Sequence, residues 1–173
     1  MSIAYIGLGS NLGNKEANLK LALQFMEKAG IEIVKVSKFY VTEPYGVTDQ
    51  PQFLNAVAEV KWKRDALELL HTLLDIETAM GRRRMRHWGE RNIDLDVLFF
   101  DDRVINTEEL VVPHPDMLNR DFVLQPMAEI APDFVHPVVH KTMKDIWADF
   151  RFPQQHQGEG KLRTIRMQQQ QQQ

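Results

Sequence analysis

The chain has 173 residues, 43% of them hydrophobic and 26% charged, with a formal net charge of −3 and no cysteine. That is the composition of one globular domain with a sizeable core. It excludes disulfides and thiolate metal sites, argues against a generally basic nucleic-acid-binding surface, and offers no apolar run near the ~20 residues of a membrane helix.

The N-terminus, "MSIAYIGLGSNLG", has no basic segment followed by an apolar stretch and a cleavage site, so a cytoplasmic protein is expected. Residues 3–8 read as a first strand. "GSNLGN" (9–14) follows. Its glycines run G-x-G-x-x-x-G from Gly7, which is not the dinucleotide spacing, and no Gly-Lys-Ser/Thr follows. A tight turn is expected instead, with glycine supplying positive φ and Asn11 or Asn14 capping a helix over 15–29. "IEIVKVSKFYV" (31–41) reads as one long second strand and "TEPYGVTDQPQ" (42–52) as a loop. "FLNAVAEVKW" (53–62) reads as a third strand on which Phe53 and Asn55 share a face. Asp65, with Glu68 three residues later, predicts a capping box and a helix to Met80.

The last core strand, about 93–100, holds "IDLDVLFF". Alternation puts Asp94 and Asp96 on one face, about 6.5–7 Å apart along the strand, with Ile93, Leu95, Val97 and Phe99 on the other. Two carboxylates so placed repel unless a cation lies between them, whether a basic side chain or a metal ion. The order β-α-β-β-α-β predicts an α+β fold with a ferredoxin-like core, helices packed on an antiparallel sheet. Beyond it, "VIN" and "ELVVPHP" predict a small hairpin or edge, and helices are expected near 123–130 and 143–150. Residues 1–150 are read as a single domain, and 151–173, polar and ending in poly-Gln, as a disordered tail.

Between the second helix and the acidic strand lies "GRRRMRHWGER", where five of the ten residues from Arg82 to Arg91 are arginine. A solvated basic loop that pairs with the neighbouring aspartates accounts for it. So does phosphate binding, for which arginine's planar fork is suited. Two carboxylates on one strand face beside an arginine-rich loop meet both needs of a magnesium-polyphosphate: hard oxygen ligands for the metal and cations for the remaining phosphate oxygens. His114, set between two prolines, reads more as a structural hydrogen-bonder than as a ligand, and Arg120 is as consistent with a surface charge as with ligand binding. Phe53 and Asn55 are as consistent with a core role as with ligand binding.

The stretches "AYIGLGSNLG", "FYVTEPYG", "DQPQFLNAV", "IETAMGR", "RHWGERNIDLDVLFF" and "VPHPDMLNRDFVLQPMAEIAP" together resemble the 6-hydroxymethyl-7,8-dihydropterin pyrophosphokinases of folate biosynthesis, over about positions 3–135. The resemblance implies transfer of the β,γ-diphosphate of ATP to the pterin hydroxymethyl group, with release of AMP, by a monomer that engages neither nucleic acid nor membrane. It implies two Mg²⁺ ions on Asp94 and Asp96, with Arg82, Arg84 and Arg91 contacting the phosphates and assisting transfer; in such an in-line displacement Arg82 and Arg91 neutralise developing charge and Asp96 is a candidate base for the hydroxyl proton. ATP contacts are implied for Arg82, Arg84, Trp88, Arg91, His114 and Arg120. The pterin is implied to lie between Phe53 and Phe122, held by Asn55, Thr42, Glu43, Tyr45 and Asp94. From another functional class, an RNA-binding ferredoxin-like module would use the same basic loop and Trp88. Against it, Asp94 and Asp96 would repel RNA phosphates, and the aromatic-basic sheet signature of such modules is missing.

Overall fold

In the computed structural model, residues 1–42, 52–81 and 92–153 are described. They form an α+β fold. The strands are β1 (Ser2–Ser10), β2 (Glu32–Val36), β3 (Tyr40–Thr42), β4 (Phe53–Trp62), β5 (Asp94–Phe100), β6 (Ile105–Asn106) and β7 (Val111–Val112). The helices are α1 (Lys15–Lys28), α2 (Ala66–Ala79), α3 (Asp121–Ile130) and α4 (Met143–Arg151), with a 3₁₀ turn at Met117–Asn119. The main sheet is antiparallel in the order β2-β4-β1-β5, with β3 also paired to β4; β6 and β7 make the expected hairpin. No helix among the described residues is long and apolar enough to cross a membrane.

Helix starts follow local chemistry. Asn14 caps α1 by accepting from the Ala17 N–H at 3.1 Å. At α2 the capping box forms: the Glu68 N–H donates to Asp65 Oδ1 at 2.9 Å and the Asp65 N–H to Glu68 Oε1 at 3.4 Å. α1 and α2 cover one face of the sheet, where Leu19, Met26, Leu69 and Leu73 pack on Ile6, Ala58, Val60 and Leu95. α3 and α4 cover part of the other face, packing Leu124, Met127 and Met143 on Tyr5, Val57 and Phe99. Each buried leucine or phenylalanine contributes about 1.5–3 kcal/mol.

Three local expectations need correction. The long second strand is two strands: the Ser37 N–H still donates to the Val57 carbonyl at 2.9 Å, but the return bond of the ladder passes to the Ser37 hydroxyl. Ser37 Oγ accepts from the Val57 N–H at 3.0 Å and donates to the Lys38 carbonyl at 2.7 Å. The "GSNLGN" turn is shorter than expected, since β1 runs through Ser10. Gly9 is therefore a strand residue, as Gly7 was expected to be, and Gly13, at φ 72°, is the turn glycine. Lastly, Phe99 does not share a face with Leu95 and Val97. The β1–β5 register passes from Tyr5↔Phe99 to Ile6↔Val97, leaving Leu98 as the additional residue of a bulge. Both Leu98 and Phe99 thus join the α3–α4 core, and Phe100 returns to the α1–α2 side.

α4 extends to Arg151, the first residue of the segment expected to be a tail; residues 154–173 lie outside those described.

Candidate active site

The site grows from the sheet face opposite α1 and α2. Ile93, Leu95 and Val97 point into the α1–α2 core, so Asp94 and Asp96 project from the other side; Asp94 is half-buried and Asp96 exposed. Register places Asn55 on the same face. Asn55 pairs with Gly9, and Gly9 pairs with Asp94, making a lateral row across three strands. The next row of the same face is Val57, Gly7 and Asp96. With strands about 4.8 Å apart, the Asn55 and Asp94 backbones stand about 10 Å from each other, with bare glycine backbone between them.

Asn55 is held in place. Its Nδ2 donates to Thr42 Oγ1 at 2.7 Å, and the residue is only 6% exposed. Phe53 pairs with Thr42 in the β3–β4 ladder and shares the face of Asn55. The floor between them tolerates no side chain on Gly9, where an added Cβ would lie 2.9 Å from Asn55 Oδ1. A flat, polar-edged ring resting on Gly9 would therefore meet Asn55 on one side and Asp94 on the other.

The outer edge of β5 is fixed from two directions. The buried Glu77 of α2 accepts the Leu95 N–H at 2.7 Å, between the two aspartates. The His114 N–H donates to the Leu98 carbonyl at 3.0 Å, which ties the Val-Pro-His-Pro segment to the acidic strand. His114 Nδ1 accepts from the Asp116 N–H at 3.2 Å. Burial pushes the His114 pKa below its ordinary value; Asp96 opposes this shift and Arg120 reinforces it. His114 is thus neutral near pH 7 and carries its proton on Nε2, as a donor. Arg120 reaches Asp116 at 3.4 Å, and its guanidinium lies over the Phe122 ring, 5.5 Å from the centroid.

The donor set suits a hard cation. Among the described residues no cluster of three or more His, Asp or Glu could cage a metal unaided. Asp94 and Asp96 fit an ion such as Mg²⁺, which takes one or two carboxylates and fills its shell with phosphate oxygens and water.

Of the residues expected from sequence, Thr42, Phe53, Asn55, Asp94 and Asp96 share one sheet region, and His114 is tied to β5 beside them. Arg120 and Phe122 stand together at the start of α3. Glu43, Tyr45, Arg82, Arg84, Trp88 and Arg91 lie outside the described residues. Sequence reasoning missed Gly9 and Glu77. Glycines two apart inside an apolar strand were a signal for the first. For the second it was a carboxylate occupying a core position in the helical series Leu69, Leu73, Ile76 and Met80.

Comparison with known proteins identifies the family of the chain. The family model for 7,8-dihydro-6-hydroxymethylpterin-pyrophosphokinase (HPPK) matches residues 5–132. The 2-amino-4-hydroxy-6-hydroxymethyldihydropteridine pyrophosphokinase of Haemophilus influenzae is 44% identical over 138 residues, covering 79% of this chain and 86% of that one. Its Bacillus subtilis counterpart is 47% identical over 130 residues, covering 75% and 78%. Among solved structures, a Plasmodium falciparum HPPK-DHPS matches with a TM-score of 0.71 at 18% identity, covering 90% of this chain. Since this chain spans only 47% of that longer one, the match speaks for the fold alone. The chain belongs to the 7,8-dihydro-6-hydroxymethylpterin-pyrophosphokinase family.

Proposed function

We propose that the Asn55–Gly9–Asp94 row is the floor on which this pyrophosphokinase seats 6-hydroxymethyl-7,8-dihydropterin, and that the β,γ-diphosphate of ATP reaches the pterin beside Asp96. The observation that carries the reading is the register itself, which sets an amide and a carboxylate on either side of a side-chain-free strip. Asn55 and Thr42 hydrogen-bond the ring edge, and Phe53 and Phe122 bound its faces. Glu43 and Tyr45 adjoin this pocket in sequence and complete it.

The pterin hydroxyl oxygen attacks the β-phosphorus, the bond from that phosphorus to the α,β-bridging oxygen breaks, and AMP departs with that oxygen. Asp94 and Asp96 would hold the two Mg²⁺ ions brought with ATP, which would supply neutralisation of phosphate charge and alignment of the reacting groups there. Asp94 also adjoins the hydroxymethyl end of the ring, and Asp96 or solvent receives the hydroxyl proton. His114, through Nε2–H, and Arg120 bind the nucleotide. Arg82 and Arg91, which flank the basic segment leading into β5, offset charge on the transferred group; Arg84 and Trp88 complete the ATP contacts. The protein acts as a cytoplasmic monomer. The ferredoxin-like assignment of its core is supported by the β2-β4-β1-β5 order, once β2 and β3 are counted as one interrupted strand. An RNA-binding role finds no support, since this sheet face presents two aspartates.

Incubation with ATP, Mg²⁺ and the pterin, with products separated by anion exchange, tests the reading. AMP forming only when the pterin is present is expected. ADP in place of AMP would overturn it.

A further inference from the structure

The break between β2 and β3 is held by a residue far away in sequence. Glu129 lies in the last turn of α3. Its two carboxylate oxygens each accept from the Lys38 N–H, both at 3.1 Å, and its Oε1 also accepts from the Tyr40 hydroxyl at 2.6 Å. One residue on, the Ile130 carbonyl accepts from Lys35 Nζ at 3.4 Å, a cation placed at a helix C-terminus. Past Ser37 the pairing with β4 lapses until β3, and in that gap Glu129 is the acceptor for the Lys38 N–H.

The two ends of α3 therefore serve one pocket. Its first turn carries Phe122, one wall of the pterin site. Its last turn grips the segment that leads into β3, whose Thr42 holds Asn55 on the opposite wall. Tyr40 itself pairs with Asn55 in the β3–β4 register. A ten-residue helix is a rod about 15 Å long, so a grip at one end fixes the placement of the other.

We infer that Glu129 is a positioning residue for the pterin: by clamping Lys38 and Tyr40 to α3 it sets the distance between the Thr42–Asn55 wall and Phe122. This rests on the pterin pocket proposed above. Burial, aided by Glu129, pushes the Tyr40 pKa up to about 12, so its hydroxyl remains a donor throughout the neutral range. An exposed carboxylate accepting from both a backbone amide and a phenol is a built contact, unlike the usual surface ion pair.

The test compares Glu129→Ala, Glu129→Gln and Tyr40→Phe with Asn55→Ala in the full-length protein. Steady-state kinetics are run against each substrate, with a thermal melt of every variant. For Glu129→Ala, the KM for the pterin should rise about tenfold while the KM for ATP stays within about twofold, on the scale of one or two lost hydrogen bonds. Glu129→Gln retains a carbonyl acceptor for the phenol and should recover most of the loss. Tyr40→Phe should fall between. A purely structural role for Glu129 would raise both KM values in step with a lower Tm and show no rescue by glutamine, and that result overturns the inference. So does an unchanged pterin KM in Glu129→Ala while Asn55→Ala is impaired. An unchanged pterin KM in Asn55→Ala would remove the pocket assignment, and the clamp would fall with it.

Discussion

Replacing Gly9 with alanine separates the pterin floor from the stability of the sheet. An added Cβ stands 2.9 Å from Asn55 Oδ1 and 3.8 Å from the Phe53 ring, so Asn55 must turn away while Phe53 need not. Turning Asn55 strains or breaks its 2.7 Å bond to Thr42, at a residue only 6% exposed. An Asn55 turned away from the floor loses its hydrogen bond to the ring, worth about 0.5–1.5 kcal/mol, which corresponds to a rise of roughly 2- to 13-fold in pterin KM. Folding stability should move much less, since alanine is favoured over glycine within a strand by about 0.5–1 kcal/mol and offsets part of the loss. Gly7→Ala is the control: the nearest neighbours of its Cβ would be Leu98 side-chain carbons at 3.5–3.6 Å, which is ordinary contact. The assay varies pterin at saturating ATP and pairs each variant with a urea melt. A wild-type pterin KM in Gly9→Ala, or equal damage from Gly7→Ala, refutes the reasoning.

Other sites give independent checks. Asp94→Asn and Asp96→Asn keep the side-chain shape but remove the charge that holds the cation, so kcat should fall by about 10²–10³-fold with an unchanged melt. Near-normal turnover in the double variant would end the metal assignment. Glu77→Ala leaves the buried Leu95 N–H without its 2.7 Å acceptor, costing about 1–3 kcal/mol in urea unfolding and displacing both aspartates; a neutral effect on stability would contradict the contact. His136 is buried, and its Nδ1 accepts from the Val138 and Val139 N–H groups at 3.1 and 3.3 Å. Burial, with a smaller effect of His140, pushes its pKa from 6.5 to about 4. The unfolded chain then binds more protons than the folded one between those values. Stability should therefore rise with pH across this window and be lost as pH falls, by up to roughly 3 kcal/mol. His136→Gln melts compared with wild type at pH 7 and pH 4.5 measure it, and equal acid losses in both proteins exclude the histidine as the cause.

How much was legible depended on the range of the interaction. The Asp65–Glu68 capping box and the Asn14 cap are contacts three residues apart, and they stand in the sequence as motifs. So does the acid pair, because strand alternation is local. Phe99 was misplaced because alternation carries no sign of a bulge; the step at Leu98 appears only when β5 is laid against β1. The interruption at Ser37 depends on Val57 and, through Lys38, on Glu129, ninety-one residues along the chain from Lys38. Gly9 looked like a turn residue because its value lies in the absence of a side chain opposite Asn55, a matter of register. Glu77 was passed over, although its place four residues after Leu73 puts it in the core.

β5 is also the outermost strand of its sheet, and such strands invite pairing with another molecule through their open backbone groups. Here the Leu95 N–H is taken by a carboxylate and the Leu98 carbonyl by the His114 N–H. Two of the groups a foreign strand would need are thus already engaged. The contacts that hold the aspartates in place also guard against intermolecular sheet extension, so variants weakened at Glu77 or in the His114 segment should lose solubility along with turnover, and in the crowded cell aggregation would be the earlier symptom.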